Sequence, residues 1–184
     1  MANYQTFMVD PLGALKPALG AAIQSELASL FKTVVAATKT FDGNTVVFTP
    51  GAANPTAHEL LVYFMPSDKS VVKNVPNTPA VDLTDDGNTA FQAGASEVYV
   101  KSDNSALLAR LAFHELMHNR LMIGNAMHDQ GGMAAKTIGA STALSPANIK
   151  AMAAVLDKAI TQWTQGIAIL NNGKNDPMSE YYKI

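Results

Sequence analysis

The residues best equipped for chemistry are His114, Glu115 and His118, set as H-E-x-x-H within Phe113-His114-Glu115-Leu116-Met117-His118. On an α-helix, residues four apart share a face, so the two imidazoles project side by side. Such a pair can hold one Zn²⁺ ion at roughly 2.0–2.1 Å from each ring nitrogen. Glu115 stands one step round the helix, beside the metal rather than on it. A general base placed there can take a proton from a metal-bound water. Chance produces a pattern of this kind in roughly one chain of several hundred, so its setting matters more than its letters. Two core-facing histidines and a glutamate on an apolar helix are costly to bury without partners, and a metal supplies one.

A catalytic zinc takes three protein ligands and a water. After His118 the chain reads Asn119-Arg120-Leu121-Met122-Ile123-Gly124-Asn125-Ala126-Met127-His128-Asp129-Gln130-Gly131-Gly132-Met133. Gly124 is expected to end the helix in a left-handed conformation. His128 can then return to the metal: the helix rises only about 9 Å from His118 to Gly124, and four residues span up to about 13 Å. Asp129 is the rival third ligand. A glutamate from a second helix is not in prospect, because the only one after Glu115 is Glu180.

With these residues in view, the chain resembles the metzincin zinc metallopeptidases, whose pattern is H-E-x-x-H-x-x-G-x-x-H followed by a methionine turn beneath the metal. The resemblance implies His114, His118 and His128 as zinc ligands, Glu115 as catalytic base and Met133 as the turn methionine. It also implies an edge strand near Glu97–Val100 that lines the cleft and pairs with extended peptide. The spacing departs from the family's. Its glycine would fall at Leu121 and its third histidine at Gly124, so this chain carries three extra residues before the glycine and one after. Leu144-Ser145-Pro146-Ala147-Asn148-Ile149 looks like the start of the family's last helix.

Several elements must position these groups. The histidine helix should begin at Asp103 or Asn104, both good N-caps, and run through Leu107, Leu108, Leu111, Leu116 and Leu121. Upstream, Leu19, Ile23, Leu27, Leu30 and Val34 recur at helical spacing from about Pro17 to Ala37. Thr6–Val9, Thr45–Phe48, His58–Met65 and Glu97–Val100 read as strands, with Asp10-Pro11 and Phe41-Asp42-Gly43-Asn44 as breaks. His58 reads as an ordinary strand-end residue rather than a ligand. Asp82–Asn88 faintly resembles a calcium loop, but Ala93 stands where the bidentate glutamate belongs, which favours a solvated turn. Ser145 as N-cap and Pro146 at N1 start a last helix with a stripe of Ile149, Met152, Leu156, Ile160, Trp163 and Ile167. Asn171-Asn172-Gly173 should stop it. Tyr181 and Tyr182 in the tail are phenols able to stabilise an oxyanion, though surface packing is their ordinary role.

The chain has 184 residues, enough for one domain spanning 1–184 with a sizeable core. A net charge of −2, with no basic patch, argues against nucleic acid as a partner. The absence of cysteine rules out disulfides and thiolate zinc. No apolar run is long enough to span a bilayer. No basic segment leads into an apolar one near Met1, so a cytoplasmic location or signal-independent export is expected. The sequence therefore predicts an α+β fold: three or four strands, a long N-terminal helix, the histidine helix and a closing helix. Zn²⁺-dependent hydrolysis of a peptide or protein substrate is the expected activity. The alternative is a zinc-stabilised binding or exported cargo protein without catalysis, against which an intact Glu115 speaks. Oligomeric state is not legible.

Overall fold

The computed structural model describes residues 4–37, 44–49, 59–74, 80–90 and 95–156. The fold is α+β. A five-stranded mixed sheet runs in the order β2-β1-β3-β5-β4, formed by β1 (Tyr4–Val9), β2 (Asn44–Thr49), β3 (Glu59–Pro66), β4 (Gly87–Ala90) and β5 (Ala95–Val100). The first four in that order are mutually parallel, and only the edge strand β4 runs antiparallel, to β5. Three helices accompany the sheet: α1 (Pro17–Val35), α2 (Ser105–Leu121) and α3 (Pro146–Leu156).

Local chemistry accounts for these elements. β1 ends at Asp10, whose carboxylate accepts from Ala14 N at 2.7 Å and Leu15 N at 2.9 Å, turning the chain towards α1. Pro17 at the first position of α1 needs no N–H donor there. The helix then serves as the crossover that parallel pairing of β1 and β2 requires. In β3, Leu61, Val62, Tyr63, Phe64 and Met65 are all buried, as expected of a central strand covered on both faces. α1 packs on α2, with the rings of Phe31 and Phe113 5.0 Å apart.

Asn104 is the N-cap of α2, its side chain accepting from Leu107 N at 3.0 Å, a bond worth about 1 kcal/mol. From Leu108 to Arg120 almost every residue is buried, so the helix has no solvent face over that span. It packs on β4 and β5 on one side and on α1 and α3 on others. No helix among the described residues is long and apolar enough to cross a membrane.

Three expectations change. The strand at Glu97–Val100 is not an edge: β5 lies between β3 and β4, and β4 takes the end of the sheet. The sequence predicts three or four strands, and β4 makes a fifth; Gly87-Asn88-Thr89-Ala90 has no run of large β-formers, because an edge strand needs only its hydrogen bonds to β5. Gly124 is not the left-handed residue: its φ is −76°, and Met122 at φ 55° takes that role directly after Leu121. The Phe41–Gly43 turn, His58, Ala93, the stripe beyond Leu156, Glu180, Tyr181 and Tyr182 lie outside the described residues.

Candidate metal centre

α2 presents His114 and His118 one turn apart, and a 3₁₀ turn over Asn125–Gln130 brings His128 back against them. Nε2 of His118 lies 3.0 Å from Nε2 of His114 and 3.2 Å from Nε2 of His128. The rings of His114 and His128 are nearly parallel, at 12°, and His118 stands edge-on to both. Together the three histidines form a group close enough to bind a metal ion. Asp129 is exposed and is not part of the group.

The outer ring nitrogens show why the inner ones converge. His114 Nδ1 donates to the carbonyl of Met133 at 2.8 Å, and His118 Nδ1 donates to that of Ile123 at 2.7 Å. A carbonyl can only accept, so each neutral ring carries its proton on Nδ1 and turns a bare Nε2 lone pair inward. Bare lone pairs 3.0 Å apart repel unless a cation lies between them. Tetrahedral Zn–N bonds of the usual length place ligand nitrogens about 3.3 Å apart, close to the spacings observed. The donor set fits a zinc-sized ion held by nitrogen alone.

The backbone that supplies these carbonyls is specific. Met122, the one non-glycine residue described with positive φ, turns the chain so that the Ile123 carbonyl faces His118. That conformation costs a residue with a side chain roughly 1–2 kcal/mol. Gly131 and Gly132 follow at φ 64° and 59°, reversing the chain into Met133, which is fully buried. A Cβ on Gly132 would meet Asn148 Oδ1 at 2.5 Å, so the approach to α3 needs a glycine. Asn148, buried on α3, accepts from Met133 N at 2.8 Å and donates to the Gly131 carbonyl at 3.2 Å. It thus locks the turn beneath His114. Ser145 caps α3, its Oγ accepting from Asn148 N at 3.1 Å.

Glu115 is buried against the sheet and stands outside the histidine group. Thr89 Oγ1 lies 2.8 Å from its Oε2, and Ser96 Oγ donates to its main-chain carbonyl at 3.1 Å. All four of His114, Glu115, His118 and His128 line one cleft of about 830 Å³. β4 and the preceding turn, including Asp85 and Asp86, form one wall, and Lys136 and Ile138 stand on another.

The turn at Asp82–Asn88 has its own cation. Lys101 Nζ donates to the carbonyls of Thr84, at 2.9 Å, and Asp85, and lies 3.6 Å from Asp86 Oδ1. Those oxygens face an ammonium of the chain itself. Asp82 turns back on Thr84, accepting from its N–H and hydroxyl, and those bonds hold its carboxyl below the usual range.

Burial sets the protonation states. It lowers His114 to about 4 and also lowers His118 and His128, the last with help from Lys136. All three are therefore neutral and able to ligate at neutral pH. Burial raises Glu115 to about 8, against the hydrogen bond from Thr89. Metal-free, folded protein thus keeps the Glu115 proton where the unfolded chain has lost it, and stability falls as pH rises towards 8. His114 acts oppositely, but through the window from 6.5 down to about 4, where the unfolded chain takes up protons first. The lowered His118 and His128 act in the same sense as His114 below 6.5. Denaturant unfolding in chelator should therefore lose about 1 kcal/mol between about pH 7 and about pH 8.5. Glu115→Gln should flatten that slope; a slope unchanged by the substitution would assign it to another group.

No family model matches the chain, and no curated protein matches it either. Sequence reasoning did not single out Thr89, Ser96, Gly87 or Asn148. The hydroxyls at 89 and 96 are matched partners in the antiparallel pair, a signal visible only once β4 is recognised. Asn148 carried a faint one, as the third residue after a serine N-cap.

Proposed function

We propose that this protein is a zinc-dependent metallopeptidase of metzincin-like type. The observation that carries the reading is the convergence of three neutral imidazoles on one point, with Glu115 beside them in the same cleft. A structural metal site has no use for such a base, whereas hydrolysis requires one. Zinc, when bound, would supply a Lewis acid that polarises the scissile carbonyl and makes a water acidic near neutral pH.

The remaining roles belong to the chain. His114, His118 and His128 hold the ion, and the Met133 and Ile123 carbonyls keep two of those rings in the ligating tautomer. Glu115, favoured in its ionised form by the double positive charge of an ion at the neighbouring histidines, takes a proton from the attacking water and returns it to the leaving amine. β4 lies at the end of the strand order and lines the cleft, so an extended peptide can pair with its outer edge. That mode fixes the backbone of a substrate by main-chain hydrogen bonds and leaves sequence preference to the cleft walls.

The test begins with metal analysis of purified, unchelated protein, expected to show about one zinc per chain with only nitrogen or oxygen neighbours by X-ray absorption. Zinc-loaded protein is then incubated with a diverse peptide pool and new termini are read by mass spectrometry. Cleavage should stop on chelation and return on adding zinc. A loaded protein that cleaves nothing in the pool would rule out the peptidase reading and leave a binding protein.

A further inference from the structure

The edge strand does more than line the cleft. Gly87 and Thr89 lie on one face of β4, two residues apart, and both meet the Glu115 side chain. Their contributions differ. Thr89 Oγ1 lies 2.8 Å from Glu115 Oε2, 2.9 Å from the Glu115 carbonyl and 3.1 Å from Ser96 Oγ. Thr89 has one hydroxyl proton. Ser96 donates to the Glu115 carbonyl, and an ionised carboxylate is a stronger acceptor than that carbonyl, so the Thr89 proton goes to Oε2 whether or not Ser96 is present. At Gly87, a Cβ would sit 2.6 Å from the Glu97 carbonyl oxygen, 2.8 Å from Glu115 Cγ and 2.9 Å from Oε1. The missing side chain leaves room for the β5 backbone and for Glu115 Oε1 together.

We propose that Thr89 is a positioning residue for Glu115: its hydroxyl holds Oε2, so that Oε1, in the space left by Gly87, is the oxygen that takes the proton. This rests on the peptidase reading above. In the step itself, an O–H bond of the attacking water breaks and its proton bonds to Oε1. The electron pair released forms the bond from the water oxygen to the scissile carbon as the carbonyl π pair moves onto its oxygen. That pair then returns to re-form the C=O bond as the C–N bond breaks, and the same proton passes to the leaving nitrogen. A carboxylate held by one oxygen keeps the other aimed, whereas a free one rotates away, and misplacement at a reacting centre is costly in rate.

The experiment compares Thr89→Val, Thr89→Ser and Ser96→Ala with wild type, each zinc-loaded and checked for zinc content and melting temperature. Thr89→Val keeps shape and removes the donor; Thr89→Ala replaces it if the valine variant does not fold. The valine variant should lose about 10- to 100-fold in kcat with KM little changed, and Thr89→Ser should recover most of it. Ser96→Ala removes a hydroxyl from the same cluster that does not donate to the carboxylate, and separates docking of α2 from aiming of the base. Calorimetric titration with acetohydroxamate gives a readout independent of turnover, because this zinc chelator's acidic proton is accepted by a well-aimed base. Its affinity should weaken about tenfold in Thr89→Val and stay near wild type in Ser96→Ala. Equal losses in the valine and Ser96→Ala variants, or no loss in kcat and hydroxamate affinity for the valine variant, would overturn the proposal. If wild type cleaves no peptide, the peptidase reading fails by itself, and the acetohydroxamate affinities alone decide for or against Thr89.

Discussion

Glu115→Gln is expected to keep about one zinc per chain while losing on the order of 10²- to 10⁴-fold in peptide hydrolysis, the range a positioned general base contributes. The two halves of that result have separate causes. The carboxyl is outside the three-histidine group, so the ion does not depend on it. The amide of glutamine fills the same buried space and still offers an oxygen to Thr89, so α2 should stay docked on β4 and β5. What the amide lacks is basicity. Turnover on a cleaved peptide and metal content of the same preparation are the two measurements. Retained turnover would place the base elsewhere in the cleft, and loss of zinc would make Glu115 a ligand instead.

Replacing His128 with alanine should weaken zinc binding far more than the roughly 10- to 100-fold that follows loss of an outer partner of a ligand. Its Nε2 sits 3.2 Å from that of His118, and among the described residues no carboxylate joins the histidines in the metal-sized group. Asp129→Asn should change affinity about fivefold or less, since the side chain is exposed and contributes only a screened charge. Competition titrations against a chelator of known affinity would rank the two variants. The opposite order would transfer the third ligand to Asp129, with the 3₁₀ turn rearranged about it.

The helix and its paired histidines were legible because a four-residue spacing has one meaning on an α-helix and the flanking leucines declared the helix buried. The last helix announced itself equally well through Ser145 and Pro146. Three things were not legible, and each has a physical reason. Glycine is the residue that most easily adopts positive φ, so Gly124 drew the expectation, but the native turn places that strain on Met122. The turn's carbonyl bond to His118 depends on where the helix ends, which depends on packing rather than on composition. β4 was hidden because its residues are small and polar. Its anchors are the Thr89 hydroxyl, aimed at Glu115 on α2, and the Asn88 amide, whose Nδ2 donates to the Tyr99 hydroxyl at 3.1 Å. Glu97 was concealed in the opposite way. It sits in an apolar strand, yet its carboxylate accepts from Ser70, Tyr99, Val71 and Val72 and ties the segment after β3 to the sheet.

Lys101 has a consequence for how this protein answers to its surroundings. The turn before β4 has the carbonyls and carboxylate of a cation loop, and the chain fills it with a covalently attached ammonium. A tethered charge does not follow the calcium concentration outside, so the wall of the cleft keeps its shape in calcium-rich and calcium-poor media alike. A chelator can therefore be expected to act at the histidines and leave that wall standing. Whatever activity the proposed peptidase loses on chelation would then report an ion held by His114, His118 and His128, and not a change in that wall.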